Sequence, residues 1–122
     1  MRARRTPPVG DPLIQHALLG EAVDNGPASI FVMGDDRKFV AVNETACRLL
    51  GYERAELLGL DPSELAPESD LDARLGELAR AGALEGRVML KAKNGDLIPV
   101  RYRASAATAA HMRFWISVAF PE

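Results

Sequence analysis

The sequence is poor in the residues that build disulfides, metal sites and membrane spans. Its single cysteine, Cys47, cannot form an internal disulfide or a cysteine-based metal site, which favours a reducing compartment. The apolar runs are far too short to cross a bilayer, and no apolar segment follows the N-terminal arginines as a secretory signal requires. The net charge of −2 gives no overall attraction to nucleic acid. These features predict a cytoplasmic protein with no membrane insertion and no nucleic-acid partner.

The residue sets of common enzymes are also missing. No Ser/His/Asp arrangement, metal-ligand spacing or glycine-rich phosphate loop is visible. The two histidines, His16 and His111, are interpreted as surface residues. Cys47 borders the apolar face of a short helix and has no lysine or histidine beside it to stabilise a thiolate, so it is interpreted as core. The chain is predicted not to be an enzyme, and an enzyme with a buried carboxylate base is the least favoured hypothesis.

What is present indicates one folded domain. With 122 residues, 48% of them hydrophobic and 26% charged, the chain has an ordinary globular composition. Residues 1–12 are predicted to be a disordered tail that is basic and rich in proline. Residues 13–27 are predicted to be an N-terminal flanking helix and its linker, capped by Asp11. Residues 28–120 then form the core of the domain.

The first half of this core combines a hairpin with short helices. Two β runs, 29–34 and 38–42, are joined by a short polar turn, which predicts a hairpin. Asn43 stands where a helix N-cap belongs, and Ser69 is predicted to cap the longest helix of the core. On that helix, Asp70 and Arg74 are spaced to form an ion pair on the solvent side.

The C-terminal third is predicted to be β structure. Two alternating runs surround Asn94-Gly95, a strong signal for a tight hairpin. The last run, 111–120, is apolar on both faces, so it is predicted to be central in the sheet. The expected fold class is α+β, with five strands in one antiparallel sheet.

Two stretches carry a resemblance to a known family. The stretch "VNETACRLLGYERAELLG" (42–59) and the hairpin "KNGDLIPVRYRAS" (93–105) resemble PAS domains in the order and spacing of their Asn, Gly-Tyr, Glu-Leu and Pro-Val elements. The resemblance implies short helices over one face of a five-stranded antiparallel sheet and the N-terminal helix against the other face. It also implies a sensory or regulatory domain of a signal-transduction protein, linked to an effector domain or partner protein.

Departures from the family's best-known branches argue against their cofactors. Matching the chain to the flavin-binding light-oxygen-voltage branch places Pro62 at the adduct-forming cysteine and Leu90, Val100 and Ala119 at the polar flavin contacts. Glu68 stands where the photoactive yellow protein branch attaches its chromophore, and residues 69–80 contain no histidine for haem iron. No flavin, haem or covalent chromophore is therefore expected, and the alternative is a small ligand of unknown identity.

The same matching nominates one surface, and the apolar faces of the N-terminal helix and the last strand nominate a second. A small, mostly apolar ligand is predicted to contact a set of inward residues, unless these simply form a filled core: Val88, Leu90, Val100, Tyr102, Trp115, Ser117 and Ala119. The alternative function is a ligand-free homodimerisation module. Its predicted interface combines the N-terminal helix with the other face of the last strand: Leu13, Ile14, Ala17, Leu18, Phe114, Ile116 and Val118.

The ending of the chain leaves the output of a signal open. The residues "AFPE" (119–122) replace the acidic end that in this family commonly precedes a signalling helix, and Pro121 disfavours a direct helical continuation. The chain is accordingly interpreted as the input part, or a fragment, of a longer signalling protein. Its preference for arginine over lysine and its many alanines predict a bacterial source.

Overall fold

A computed structural model describes residues 10–122, so residues 1–9 of the predicted tail, with all three of its arginines, lie outside the described part. Five helices and five strands follow one another in these residues: α1 (Pro12–Asp24), β1 (Ser29–Gly34), β2 (Phe39–Val42), α2 (Glu44–Leu50), α3 (Arg54–Leu58), α4 (Pro62–Leu65), α5 (Leu71–Ala81), β3 (Ala83–Lys91), β4 (Leu97–Ala109) and β5 (Met112–Pro121). The predicted α+β class is confirmed, and the boundaries differ from the sequence expectation by only a few residues.

The strands form one antiparallel sheet in the order β2-β1-β5-β4-β3. Strand β5 is central, as its apolar character on both faces predicts. Ser117 of β5 lies between Phe31 of β1 and Ala104 of β4, and all three point to the inner face. Their neighbours along the strands point to the outer face. Each strand therefore divides its side chains between two different environments.

The inner face packs against helices α2 to α5. The buried cluster includes Leu50, Leu57 and Val100, each no more than 1% exposed. Cys47 belongs to the same cluster and is buried, as predicted for a cysteine that serves as a small apolar residue.

Asn43 connects three segments by hydrogen bonds. Its side-chain oxygen accepts from the backbone N–H of Ala46, which caps α2 as predicted, and from that of Ile30 in β1. Its amide nitrogen donates to the carbonyls of Val23, at the end of α1, and Ala28. Because all these polar groups are paired, Asn43 is accommodated at 5% exposure.

Helix α1 is present as predicted, but it buries none of its residues. Leu13 is 81% exposed, and Leu18 and Leu19 are each 62% exposed. The helix therefore does not cover the outer face of the sheet, as the resemblance implies it should. Its apolar residues point in several directions around the axis, so no single stripe is available to pack against the domain.

Two details of helix α5 also differ from expectation. Its N-cap is Asp70, whose carboxylate accepts from the N–H of Ala73, so the prediction that Ser69 caps the helix is wrong by one residue. The predicted ion pair between Asp70 and Arg74 is wrong as well, because Asp70 is engaged as the cap and Arg74 turns toward the sheet.

Candidate functional site

A cavity of about 150 Å³ lies between the inner face of the sheet and helices α4 and α5. All five strands contribute to its wall, and the helices close it with Pro62, Leu65 and the leucines of α5. The lining is almost wholly apolar, with a few polar side chains: Ser69, Arg74, Tyr102, Trp115 and Ser117. An apolar cavity with a few polar groups is the usual form of a small-molecule site.

The structure brings together all seven residues that the sequence nominates for ligand contact. They line this one cavity from β3, β4 and β5: Val88, Leu90, Val100, Tyr102, Trp115, Ser117 and Ala119. The register explains the grouping, because Tyr102 lies directly opposite Ala119 and Val100 directly opposite Val88. That these residues bind a ligand stays a prediction.

Sequence reasoning missed the helical half of the wall. Leu71, Arg74, Leu75 and Leu78 of α5 all line the cavity. The leucines are visible in the sequence as a stripe at helical spacing. Arg74 follows Leu71 by three residues and precedes Leu78 by four, so helical geometry places it on the same side as the leucines. That spacing was the available signal.

Arg74 is held against Tyr102. Its Nη1 donates to the Tyr102 hydroxyl, and its Nη2 donates to the carbonyl oxygen of Arg87 at 3.2 Å. The guanidinium carbon lies 5.2 Å from the centre of the Tyr102 ring, within the range of a cation–π contact. A half-buried cation therefore stands in the wall of an apolar cavity.

Gly86 makes room for the Tyr102 ring. The two residues face each other across β3 and β4, and a Cβ atom on Gly86 would lie 3.1 Å from the Tyr102 hydroxyl oxygen. Such a contact is tighter than ordinary packing, so a side chain at Gly86 would displace the phenol. The close approach of the ring to the strand fixes where the Tyr102 hydroxyl enters the cavity wall.

A second arginine lies against Trp115, an aromatic residue of β5. The guanidinium carbon of Arg113 is 4.6 Å from the Trp115 ring, and Arg113 is itself exposed and does not line the cavity. Trp115 thus has a cation near its ring while it contributes to the cavity wall.

The resolved pKa shifts belong to surface groups away from the cavity. A hydrogen bond from Lys93, followed by one from the backbone of Glu53, holds the pKa of Glu56 below its usual value. Hydrogen bonds from the Ser63 side chain and backbone lower the pKa of Asp61, which caps α4. These shifts follow from exposed structural contacts and do not indicate a catalytic acid or base.

The four positions compared with the flavin-binding branch lie in this wall, and the position compared with the photoactive yellow protein branch does not. Pro62, Leu90, Val100 and Ala119 are buried at the cavity, whereas Glu68 is exposed outside it. Within residues 10–122, no group of three or more His, Cys, Asp or Glu side chains is arranged to hold a metal ion. The expectation that no flavin, haem or chromophore binds stays a prediction.

The residues nominated for a dimer interface occupy two separate surfaces. Leu13, Ala17 and Leu18 are exposed on α1, and Ile14 is half-buried. The β5 residues are half-buried on the outer face of the sheet: Phe114, Ile116 and Val118.

Nothing in residues 10–122 provides a helix long and apolar enough to span a membrane.

Comparison by sequence finds one family. The family model described as "PAS domain" matches residues 27–120, which is most of the chain and nearly coincides with the predicted core of 28–120. No curated protein matches the chain.

Solved structures resemble the chain in fold at low sequence identity. A PAS domain from a two-component sensor histidine kinase superimposes with a TM-score of 0.78 at 16% identity, covering 92% of this chain and all of that one. A PAS domain of an HTR-like protein from Haloarcula marismortui has a TM-score of 0.80 at 18% identity, covering 90% of this chain and 93% of the other. A domain of a sensory box sensor histidine kinase/response regulator from Geobacter sulfurreducens has a TM-score of 0.78 at 21% identity, covering 93% and 99%. At these identities the likeness establishes the fold.

Proposed function

Because the chain belongs to the PAS domain family, we propose that it is the sensory domain of a bacterial signalling protein and that a small, mostly apolar molecule binds in its cavity. The observation that carries the proposal is the cavity itself, about 150 Å³ of partly open space that is lined mostly by apolar side chains. Similar domains come from sensor histidine kinases, which supports a link to an effector domain.

The empty volume of the cavity and the hydrogen-bonding groups in its wall support a bound ligand rather than a filled core. Protein interiors are close-packed, and empty space of this size costs stability because its lining loses dispersion contacts. A ligand that fills the space restores those contacts. The hydroxyls of Tyr102 and Ser117 and the indole N–H of Trp115 offer hydrogen bonds that would orient it.

Native mass spectrometry of the purified protein tests the proposal. The expected result is an additional mass that is present under native conditions and lost on unfolding. The cavity-filling variant Ala104→Leu should lose that mass, because Ala104 is 7% exposed and lines the cavity.

A matched control places the same side chain on the other face of the same strand. Ser105 is the next residue of β4 and faces outward opposite Ile116 of β5. Ser105→Leu should retain the bound mass. A protein that carries no added mass from its source, and takes up none from a library of small apolar compounds, would contradict ligand binding.

The alternative function is homodimerisation, favoured by the exposed leucines of α1. A helix of 13 residues with no buried side chain has little tertiary support. Its C-terminal end is fixed to the domain, however, because Val23 accepts from Asn43 and Asp24 accepts from the N–H of Glu44. The helix is thus attached at its C-terminal end, while its exposed leucines stay open to a second copy of the chain.

Measuring the oligomeric state of the purified protein tests for homodimerisation. Sedimentation velocity should reveal a dimer, and the double variant Leu18→Glu/Leu19→Glu should shift it to a monomer. His16→Glu is the control, because His16 is exposed on the same helix but is not apolar. A monomer in every protein, over the accessible concentration range, would reject dimerisation through α1.

A further inference from the structure

Arg74 is a cation without an acidic partner in the described part of the chain. The ion pairs of residues 10–122 engage other basic side chains, namely Arg37, Arg54, Arg87, Lys93 and Arg103. Arg74 instead lies half-buried at an apolar cavity, where a charge is unfavourable unless an opposite charge or hydrogen bonds compensate it.

The hydrogen-bonding capacity of Arg74 is only partly used. A guanidinium has five N–H donors in a planar fork. Arg74 commits one to the Tyr102 hydroxyl and one to the Arg87 carbonyl, which leaves three without a partner among residues 10–122. The Tyr102 oxygen accepts from Arg74, so its own O–H remains free to donate. Two adjacent side chains therefore present unused donors, and one of them is positively charged.

The size of the cavity limits how large a ligand bound to these donors can be. A cavity of about 150 Å³ lined by aliphatic and aromatic side chains accommodates about one benzene ring. Leu75, Leu78 and Val88 supply such a lining. The ligand that fits both features has one small ring or short branched chain and one anionic group.

We propose that the cavity selects a small apolar monocarboxylate, with its hydrocarbon part inside and its carboxylate on the Arg74 guanidinium and the Tyr102 hydroxyl. This inference rests on the proposed function, because it specifies the ligand class of the same cavity.

The chemistry of the wall distinguishes a monocarboxylate from other ligands. A guanidinium fork matches the two oxygens of a carboxylate, and charge-assisted hydrogen bonds are stronger than neutral ones. A phosphate ester carries more charge and needs more donors, whereas Arg74 is the only charged residue that residues 10–122 contribute to the cavity wall. A neutral hydrocarbon would fill the space but leave Arg74 without a counter-charge.

Three probes of nearly equal size and shape isolate the contribution of charge to binding. Benzoate carries the ring and the carboxylate, benzamide replaces the charge by a neutral amide, and toluene has neither charge nor hydrogen bonds. Affinities are measured for protein that has been freed of any bound molecule, by calorimetry and by the fluorescence of Trp115, the only tryptophan of the chain. Benzoate is expected to bind about 10- to 100-fold more tightly than benzamide, the usual range for a hydrogen bond to a charged group.

Variants of two arginines test whether Arg74 causes the preference for benzoate over benzamide. Arg74→Gln should abolish the preference for benzoate over benzamide and leave toluene binding unchanged. Arg113→Gln is the matched control, since Arg113 lies on the ring of Trp115 but outside the cavity wall. It should keep the preference. Arg74→Lys retains the charge without the fork and should bind benzoate with intermediate affinity, which also covers the case in which Arg74→Gln fails to fold.

The outcomes distinguish the inference from the function on which it rests. Equal affinity for benzoate and benzamide, or an unchanged preference in both Arg74 variants, would overturn the inference while leaving a ligand-binding cavity. Toluene binding with exclusion of benzoate would do the same. If none of the three probes binds, the inference fails, and the native mass measurement decides separately whether the cavity holds another molecule.

Discussion

Helices α1 and α5 have similar lengths, 13 and 11 residues, and both are rich in apolar residues, but they are attached to the domain in different ways. Helix α5 lays its leucines against the inner side of the sheet, where they line the cavity. Helix α1 buries no side chain and is connected through polar contacts at its C-terminal end. The distribution of apolar residues around the axis, rather than their number, decides which helix packs.

The attachment of α1 to the domain is concentrated within a few residues. The Asp24 carboxylate accepts from the backbone N–H of Glu44 at 2.9 Å and from Arg54 at 2.7 Å. The Thr45 hydroxyl donates to the carbonyl of Gly26 at 2.5 Å. Together with Asn43, these contacts link α1 to the start of α2.

The largest expected effect comes from removing an apolar contact of α5. Leu78 is 3% exposed, so Leu78→Ala should lower the free energy of unfolding by about 2–5 kcal/mol through lost burial and an enlarged cavity. Leu18→Ala, on α1, should change it by less than about 0.5 kcal/mol in the monomer, since Leu18 is 62% exposed. Urea unfolding at a concentration where the protein is monomeric measures both. Comparable losses would mean that α1 packs on the domain after all.

Asn43→Ala should have the next largest effect, a loss of about 2–4 kcal/mol, because it removes a helix cap and leaves buried backbone groups unpaired. It should also speed hydrogen exchange in α1 by releasing the carbonyl of Val23. Asn43→Ser is the control that separates these roles. Serine can still cap α2 but has no amide to donate to Val23 and Ala28, so it should destabilise less while α1 exchanges as fast.

Removing the charged contact at the end of α1 should have a smaller effect. Arg54 lies 2.7 Å from Asp24 and 3.4 Å from Glu44, and all three side chains are substantially exposed to screening by salt. Arg54→Gln should slightly increase hydrogen exchange at the C-terminal end of α1 and leave α5 unchanged. Added salt should reproduce this in the wild type and have no further effect in the variant. Equal changes in both helices would show that the contact is not specific to α1.

The smallest effect is expected from the exposed ion pair between Glu56 of α3 and Lys93, which lies just after β3. The pKa of Glu56 is lowered in the folded protein by the hydrogen bond from Lys93, so the folded state binds fewer protons than the unfolded state near the ordinary value of 4.5. The stabilisation is therefore present above that value and is lost as the pH falls through the lowered pKa. Glu56→Gln should remove a small part of the acid dependence of the free energy of unfolding between about pH 5 and pH 3. An unchanged dependence of the free energy of unfolding on pH would contradict this prediction.

Local patterns predicted much of the fold. The run 111–120 is apolar on both faces, which predicted a central strand, and β5 is the middle strand of the sheet. The outward side chains in the middle of this strand are half-buried there. Asn43 was predicted as a cap from its position alone. Its donation to Val23 and Ala28 was not predictable, because those carbonyls lie 20 and 15 residues away along the chain.

The inward set of the cavity was predicted through the resemblance, and its members do share one wall. The helical part was not predicted. Arg74 was assigned to Asp70 by a rule for isolated helices, and that rule cannot include the Tyr102 hydroxyl, which lies 28 residues away.

The sequence by itself determined the element order, the caps at Asp11 and Asn43, the hairpin at Asn94-Gly95 and the alternation that assigns strand residues to two faces, because these depend on neighbours along the chain. Only the tertiary structure decided that α5 closes a cavity while α1 stays exposed, and that Arg74 meets Tyr102. Those outcomes depend on how apolar surfaces from distant segments fit together, and burial energy is set by that fit rather than by local spacing.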